Sequence, residues 1–192
     1  MEVQELAGGL WRWTAPHPDW RPGDEWGREV GCVYYEAPDA VVLIDPLVPA
    51  GEDERFWRAL DRDVERAGSP VHVMLTLSDH RRSAGEVAER YGAATWTFSS
   101  GEPPPHGVEA FDAMRMDEAV LWIAEHRVLV FGDVVLDGPR LCPQGWVREG
   151  TIAELKETLR PLLELPVERM LVSHGEPVLE RAHAELERLL AA

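Results

Sequence analysis

The stretch Leu75-Thr76-Leu77-Ser78-Asp79-His80-Arg81-Arg82-Ser83-Ala84-Gly85 decides how the chain is read. On its N-terminal side, Val71 to Leu75 is an apolar run with β-branched residues and reads as a buried strand. On its C-terminal side, Ser83 to Arg90 has the spacing and propensity of a helix. Asp79, His80, Arg81 and Arg82 therefore crowd onto a strand-to-helix turn, where a rigid scaffold can present them together.

Working outward, residues 9–14, 29–36 and 40–44 are β-prone, and Pro38-Asp39 supplies a turn between the last two. A helix is expected over 52–67, where Phe56, Leu60 and Val64 recur at spacing four and Gly68 and Pro70 end the run. A strand at 94–98 precedes the breaker Pro103-Pro104-Pro105. Residues 109–114, 119–123 and 127–131 read as three more strands joined by tight turns at Asp117 and Glu125. The tail reads as a helix over 151–163, a strand over 169–172 and an amphipathic helix over 177–190. Two sheet-rich halves, each closed by helices, predict a single α/β (α+β) domain over 1–192, with two packed sheets and helices outside. Two long loops remain, 15–27 and 136–150. The first carries His17, Trp20 and Trp26 among prolines and glycines, the composition of a functional lid.

With 192 residues and 45% hydrophobic content the chain can bury a sizeable core. Its formal charge of −16 sets it against phosphate backbones and anionic lipid, and Arg81-Arg82 is only a pair, so neither nucleic acid nor a membrane surface is an expected partner. Cys32 and Cys142 are two thiols in a Cys-poor chain, which suits a reducing cytoplasm. The first residues lack a signal-peptide pattern, and no apolar run approaches the roughly 20 residues of a membrane span. The expectation is a soluble, cytoplasmic protein.

Three apolar runs each end in polar residues. The run at 71–76 delivers Asp79, His80, Arg81 and Arg82; that at 128–131 delivers Gly132 and Asp133; that at 170–172 delivers Ser173, His174 and Gly175. Such placement is how a site is built on strand ends. His72, His126 and His183 stand apart and read as structural, and Ser83 reads as a hydrogen-bonding residue at a helix entry.

The order of elements, the leader Val42-Leu43-Ile44-Asp45, the segment Leu75-Thr76 with Gly85, and the pairs Gly132-Asp133 and His174-Gly175 together resemble the metallo-β-lactamase superfamily across essentially the whole chain. The resemblance implies a four-layer αβ/βα sandwich with its site at one edge of the two sheets. It also implies two divalent metals that activate water, held by H-x-H-x-D-H, a later His, a bridging Asp and a final His. Laid on this sequence without gaps, the first four ligand positions fall on Leu77, Asp79, Arg81 and Arg82. The bridging Asp matches Asp133 and the final His matches His174. The later His has no Gly-His-Thr-like match, and His106 lies in that interval on a proline-rich turn.

A guanidinium keeps its proton, so Arg81 and Arg82 cannot be ligands. At about 4 Å from a divalent ion either would cost roughly 8 kcal/mol at an effective dielectric of 20. The expectation is therefore a degenerate, non-binuclear site and a pseudoenzyme candidate. Arg81 or Arg82 would pair with Asp133 or Asp79 and, beside His174, hold a small anionic ligand under a lid of His17, Trp20 and Trp26. No metal is favoured. The alternative is one Zn, Mn or Fe ion on Asp79, Asp133 and His174, with His80 in reserve, in a mononuclear hydrolase of a small ester, lactone, thioester or amide. In that alternative the catalytic candidates are Asp79, His80, Asp133 and His174.

Overall fold

The computed structural model describes residues 1–115, 117–147 and 150–191. The chain opens with strands β1 (Glu2–Ala7), β2 (Leu10–Pro16), β3 (Glu29–Glu36) and β4 (Val41–Ile44), antiparallel neighbours in chain order. Helix α1 (Asp53–Ala67) crosses over to β5 (Val71–Met74), and α2 (Ala84–Tyr91) crosses over to β6 (Ala94–Trp96). Both of these strands add in parallel and complete a six-stranded sheet. The second half supplies β7 (Val108–Asp112), β8 (Ala119–Ile123) and β9 (Val128–Phe131), then the hairpin β10 (Val135–Leu136) and β11 (Arg140–Leu141). Helix α3 (Ile152–Leu159), strand β12 (Arg169–Val172) and helix α4 (Ala182–Leu190) follow. The second sheet is ordered β12-β9-β8-β7, with β12 parallel to β9.

Side-chain alternation divides the interior into three layers. On β4, Val42 and Ile44 face the other sheet with Val33, Tyr35, Leu121 and Val130, while Val41 and Leu43 face Phe56 and Leu60 of α1. On β8 and β9, Trp122, Leu129 and Phe131 turn instead to Leu155, Leu159 and Leu186 of α3 and α4. Helix, sheet, sheet and helix thus stack in that order, as expected. Strands of the middle layers are buried on both faces, which is why they read as unbroken apolar runs. Among the described residues no helix is long and apolar enough to cross a membrane.

Local details depart from the sequence expectation for identifiable reasons. Strand β1 was not expected, because an edge strand with mostly exposed side chains carries no core pattern. The helix expected over 151–163 changes to a 3-10 turn at Arg160–Glu164, around Pro161. The last helix begins at Ala182 rather than 177, because Val178 makes a β-bridge with Met170 and Arg181 takes a left-handed φ of 56°.

The parallel strands β4, β5, β9 and β12 all end at one edge, where the sheets are stitched together. The Gly31 amide donates to Ser173 O at 2.8 Å and the Ala119 amide donates to Thr76 O at 2.8 Å. A Cβ at Gly31 would lie 2.7 Å from Val172 O, so only glycine admits this approach. Gly31→Ala is expected to cost about 2 kcal/mol by forcing the sheets apart. Thermal unfolding monitored by circular dichroism should show Tm lowered by about 4–8 °C; an unchanged Tm would mean that the sheets are not clamped at this point.

Candidate functional site

Asp45 ends β4 and is buried, with a left-handed φ of 48°. Its Oδ1 accepts the Thr76 amide at 2.8 Å, and its Oδ2 accepts the Thr76 hydroxyl. The same Oδ2 lies 3.0 Å from His80 Nδ1. One carboxylate thereby fixes both the end of β5 and the imidazole that follows it. Burial alone would raise the Asp45 pKa, but His80, the Arg82 charge and the Thr76 hydrogen bond hold it below the usual carboxylate range.

With Nδ1 turned to Asp45, His80 presents Nε2 to Asp133 Oδ1 at 3.2 Å. His174, from the end of β12, brings its own Nε2 to within 3.1 Å of the same oxygen. All three side chains are largely buried, and their donor atoms lie within 4.8 Å of one another. The two imidazole approaches lack hydrogen-bond alignment, so Asp133 Oδ1 is buried with no hydrogen-bond partner among the described residues, as is His174 Nδ1. A buried carboxylate oxygen in that condition is costly unless something further binds it.

Charge is arranged around this cluster. Burial disfavours a charged His80, yet Asp45 and Asp133 push its pKa up to about 9. Burial lowers the His174 pKa, whereas Asp133, despite its burial, is held well below the carboxylate range by His174 and His80. Arg115, on the turn between β7 and β8, sits 3.8 Å from Asp133 Oδ2 and 3.1 Å from Glu118 Oε2. Burial raises the Glu118 carboxyl to about 7.

Above the cluster opens a cavity of about 380 Å³, lined by His17, Trp26, Arg82, Arg115 and Trp146 together with the three donors. The Trp26 ring packs 5.0 Å from His174 and 5.2 Å from His17. The Asp19 amide donates to His17 Nδ1 at 3.2 Å, which places the ring proton of neutral His17 on Nε2.

The structure gathers His17, Trp26, His80, Arg82, Asp133 and His174, and leaves out three of the expected residues. Asp79 and Arg81 are exposed on the turn, away from the cavity. Trp20 does not line the cavity either; it braces the loop through a hydrogen bond from Nε1 to Trp26 O at 2.9 Å. Arg82 does not pair with Asp133 or Asp79. Its φ of 36° directs the guanidinium to the strand ends, where Nη1 donates to Gly31 O and Asp45 O at 2.9 Å each and Nη2 donates to Ser173 Oγ at 2.5 Å. The cation beside Asp133 is Arg115. His106 is exposed and paired with Asp39 at 2.8 Å. Ser83 precedes α2 and accepts the Val48 amide at 3.0 Å rather than an amide of its own helix. Sequence reading missed Arg115, Glu118 and Trp146. The one signal for Arg115 and Glu118 was two opposite charges flanking a tight turn, and Trp146 lies in the long loop 136–150.

No family model matches the chain, and no curated protein matches it. Solved structures do. The metallo-β-lactamase IND-7 superposes with a TM-score of 0.66 at 16% identity over 98% of this chain and 97% of that one. DIM-1 metallo-β-lactamase gives 0.66 at 14% over 98% and 96%. A metallo-β-lactamase from Erythrobacter litoralis gives 0.65 at 16% over 98% and 95%. The chain has the metallo-β-lactamase fold.

Within the metallo-β-lactamase frame, the residues present do not suit two metals. Leu77 is buried in a β-bridge with Glu118, Asp79 points to solvent, and Arg115 enters the cavity from the interval where a later His was sought. They do suit one. Donors bound at 2.0–2.1 Å around one tetrahedral ion lie about 3.4 Å apart, close to the 3.1 and 3.2 Å separations from Asp133 Oδ1. His80, Asp133 and His174 would hold the ion, with Asp45 behind His80 as the carboxylate that orients a ligating imidazole.

Two outcomes are expected. Metal-free His80 keeps its proton up to about pH 9, so binding one divalent ion at pH 7.5 should release about one proton. Calorimetry in buffers of different ionisation heat measures this, and zero release would mean that His80 is already neutral. Asp45→Asn, which weakens the acceptor behind His80, should lower metal affinity about 10- to 100-fold; unchanged affinity in a competition titration would remove Asp45 from the site.

Proposed function

We propose that the chain is a one-metal hydrolase acting on a small ester, lactone, thioester or amide. The observation that carries this reading is the convergence of His80 Nε2, His174 Nε2 and an otherwise unpartnered Asp133 Oδ1, with Asp45 fixing the tautomer of His80. Two imidazoles and a carboxylate suit Zn²⁺, Mn²⁺ or Fe²⁺. A divalent ion there supplies Lewis acidity and activates water at neutral pH. The named neighbours are metallo-β-lactamases, which supports use of a metal in this fold.

The remaining residues act as positioning and sheltering groups. Trp26, Trp146 and His17 line the cavity and give it aromatic walls. With its proton on Nε2, neutral His17 can donate a hydrogen bond to a substrate in the cavity it lines. Arg82 holds Gly31, Asp45 and Ser173 in place, so that β3, β4 and β12 keep their ends aligned. A reducing, cytoplasmic setting suits the two buried free thiols, Cys32 and Cys142.

A second reading is a metal-free pocket for a small anion, supported by the seat of His80 between Asp45 and Asp133, where a proton offsets both carboxylates. Elemental analysis separates the two. Protein purified without chelator, or after supplementation with Zn, Mn or Fe, should carry about one equivalent of metal per chain, the stoichiometry of one three-ligand site. Asp133→Asn should lose it, and chelation should abolish hydrolysis of a panel of small esters, lactones, thioesters and amides. Protein that stays metal-free after supplementation would overturn the hydrolase reading and leave the anion pocket.

A further inference from the structure

We propose that a second cavity, between α1 and the β1–β2 end of the first sheet, binds a small planar aromatic monoanion. None of its lining residues lines the cavity above His80, Asp133 and His174, so this site is independent of the hydrolase reading. Its volume is about 400 Å³, within the range of small-molecule sites. The walls are aromatic. Trp11 and Tyr34 meet edge to face with ring centroids 5.1 Å apart, and Trp13 and Phe56 lie 5.6 Å apart at a tilt of 47°. Two of these rings are fixed from outside the cavity: Trp13 Nε1 donates to Leu47 O at 2.9 Å, and the Tyr34 hydroxyl donates to Glu36 Oε1 at 3.0 Å. Val3 also lines it and is 56% exposed, the more open of the two large apolar side chains left exposed among the described residues. A pre-set apolar surface left open to water in this way favours an apolar occupant.

Charge selects the other half of the ligand. The chain carries a formal charge of −16, yet Arg55 and Arg62 both line this cavity, about two turns apart on one face of α1. Their side chains are 75% and 74% exposed, so both guanidiniums can swing over the opening at little cost in burial. The carboxylates beside them are shared with other cations. Glu52, 3.2 Å from Arg55, also takes the Met1 amino group at 2.6 Å, and Asp63 lies 3.9 Å from Arg66 Nε as well as from Arg62 Nε. Exposed guanidiniums beside an aromatic cavity match an aromatic body with one anionic group. Two partly paired arginines supply too little positive charge to hold a polyphosphate or a nucleic acid on so acidic a chain. A second copy of the chain is disfavoured by β1 itself, whose exposed Glu2 and Glu5 are the kind of charges that keep an edge strand from pairing with its like.

Full-length protein tests this without reliance on turnover, using naphthoate, its neutral isostere naphthamide and the aliphatic acid octanoate as probes. The indole N–H resonance of Trp11, identified by its absence in Trp11→Phe, reports occupancy. Naphthoate should shift it with a Kd of about 1 mM or tighter. It should bind about fivefold more tightly than naphthamide, the gain expected of exposed ion pairs, and about threefold more tightly than octanoate, from ring–ring contacts. The double variant Arg55→Gln/Arg62→Gln should bind naphthoate and naphthamide alike. Ala59→Phe, which fills the cavity from α1, should abolish the shift with all three probes. The amide spectrum of each variant confirms folding, and the double variant, changed only at exposed positions, decides the outcome if Ala59→Phe does not fold. No shift at Trp11, equal binding of naphthoate and naphthamide, tighter binding of octanoate, an undiminished preference in the double variant, or an undiminished shift in folded Ala59→Phe would each overturn the proposal. So would sedimentation of the ligand-free protein as a dimer that Ala59→Phe dissociates, because the cavity would then belong to a second copy.

Discussion

The site depends on one buried carboxylate. Asp45 takes three hydrogen-bonding partners, the Thr76 amide, the Thr76 hydroxyl and His80 Nδ1, and so joins the ends of β4 and β5 to the imidazole of the turn beyond them. Removing one partner of a buried charged network of this kind costs about 3–5 kcal/mol, because the other groups are left uncompensated. The same contact leaves His80 with its second nitrogen aimed at Asp133, and His174 approaches that oxygen from the other sheet. Fold and chemistry meet at this residue: the left-handed backbone of Asp45 is tolerated because both depend on where its carboxylate points.

Around that constraint two guanidiniums have different work. Arg82 spans the ends of β3, β4 and β12, a role for a cation with several fixed donors and no need of a carboxylate. Arg115 offsets Asp133 and Glu118 from the opposite wall. Arg82 thus braces the strand ends and Arg115 lies beside Asp133, while the donor atoms of His80, Asp133 and His174 stay together. A guanidinium and one ion would be compatible here, because Arg82 is bound to strand ends and Arg115 meets Asp133 at the oxygen away from His80 and His174.

The architecture was readable in the sequence because its middle strands are buried on both faces: runs such as Val41 to Ile44 and Val128 to Phe131 have one physical explanation. The polar edge strand β1 lacked that pattern and stayed invisible. Of the site, Asp133 and His174 were legible as strand-end residues, and His17 and Trp26 as parts of an aromatic loop. His80 was placed only in reserve, since in the family pattern it occupies a position between ligands. What moves it into the site is the turn geometry, with His80 N donating to Leu77 O at 2.9 Å and Asp45 gripping the ring, while Asp79 turns outward. Arg115 could not be assigned because its partners Glu118, Trp146 and Asp133 are distant in sequence, and only the folded chain brings them together.

A single-ion site is tested most directly by anomalous diffraction at the zinc edge from crystals of the zinc-loaded protein. One peak is expected, within bonding distance of His80 Nε2, Asp133 Oδ1 and His174 Nε2, which His80→Ala removes. A peak on Asp79, a second peak beside Arg115, or no peak at the His80, Asp133 and His174 cluster would contradict it.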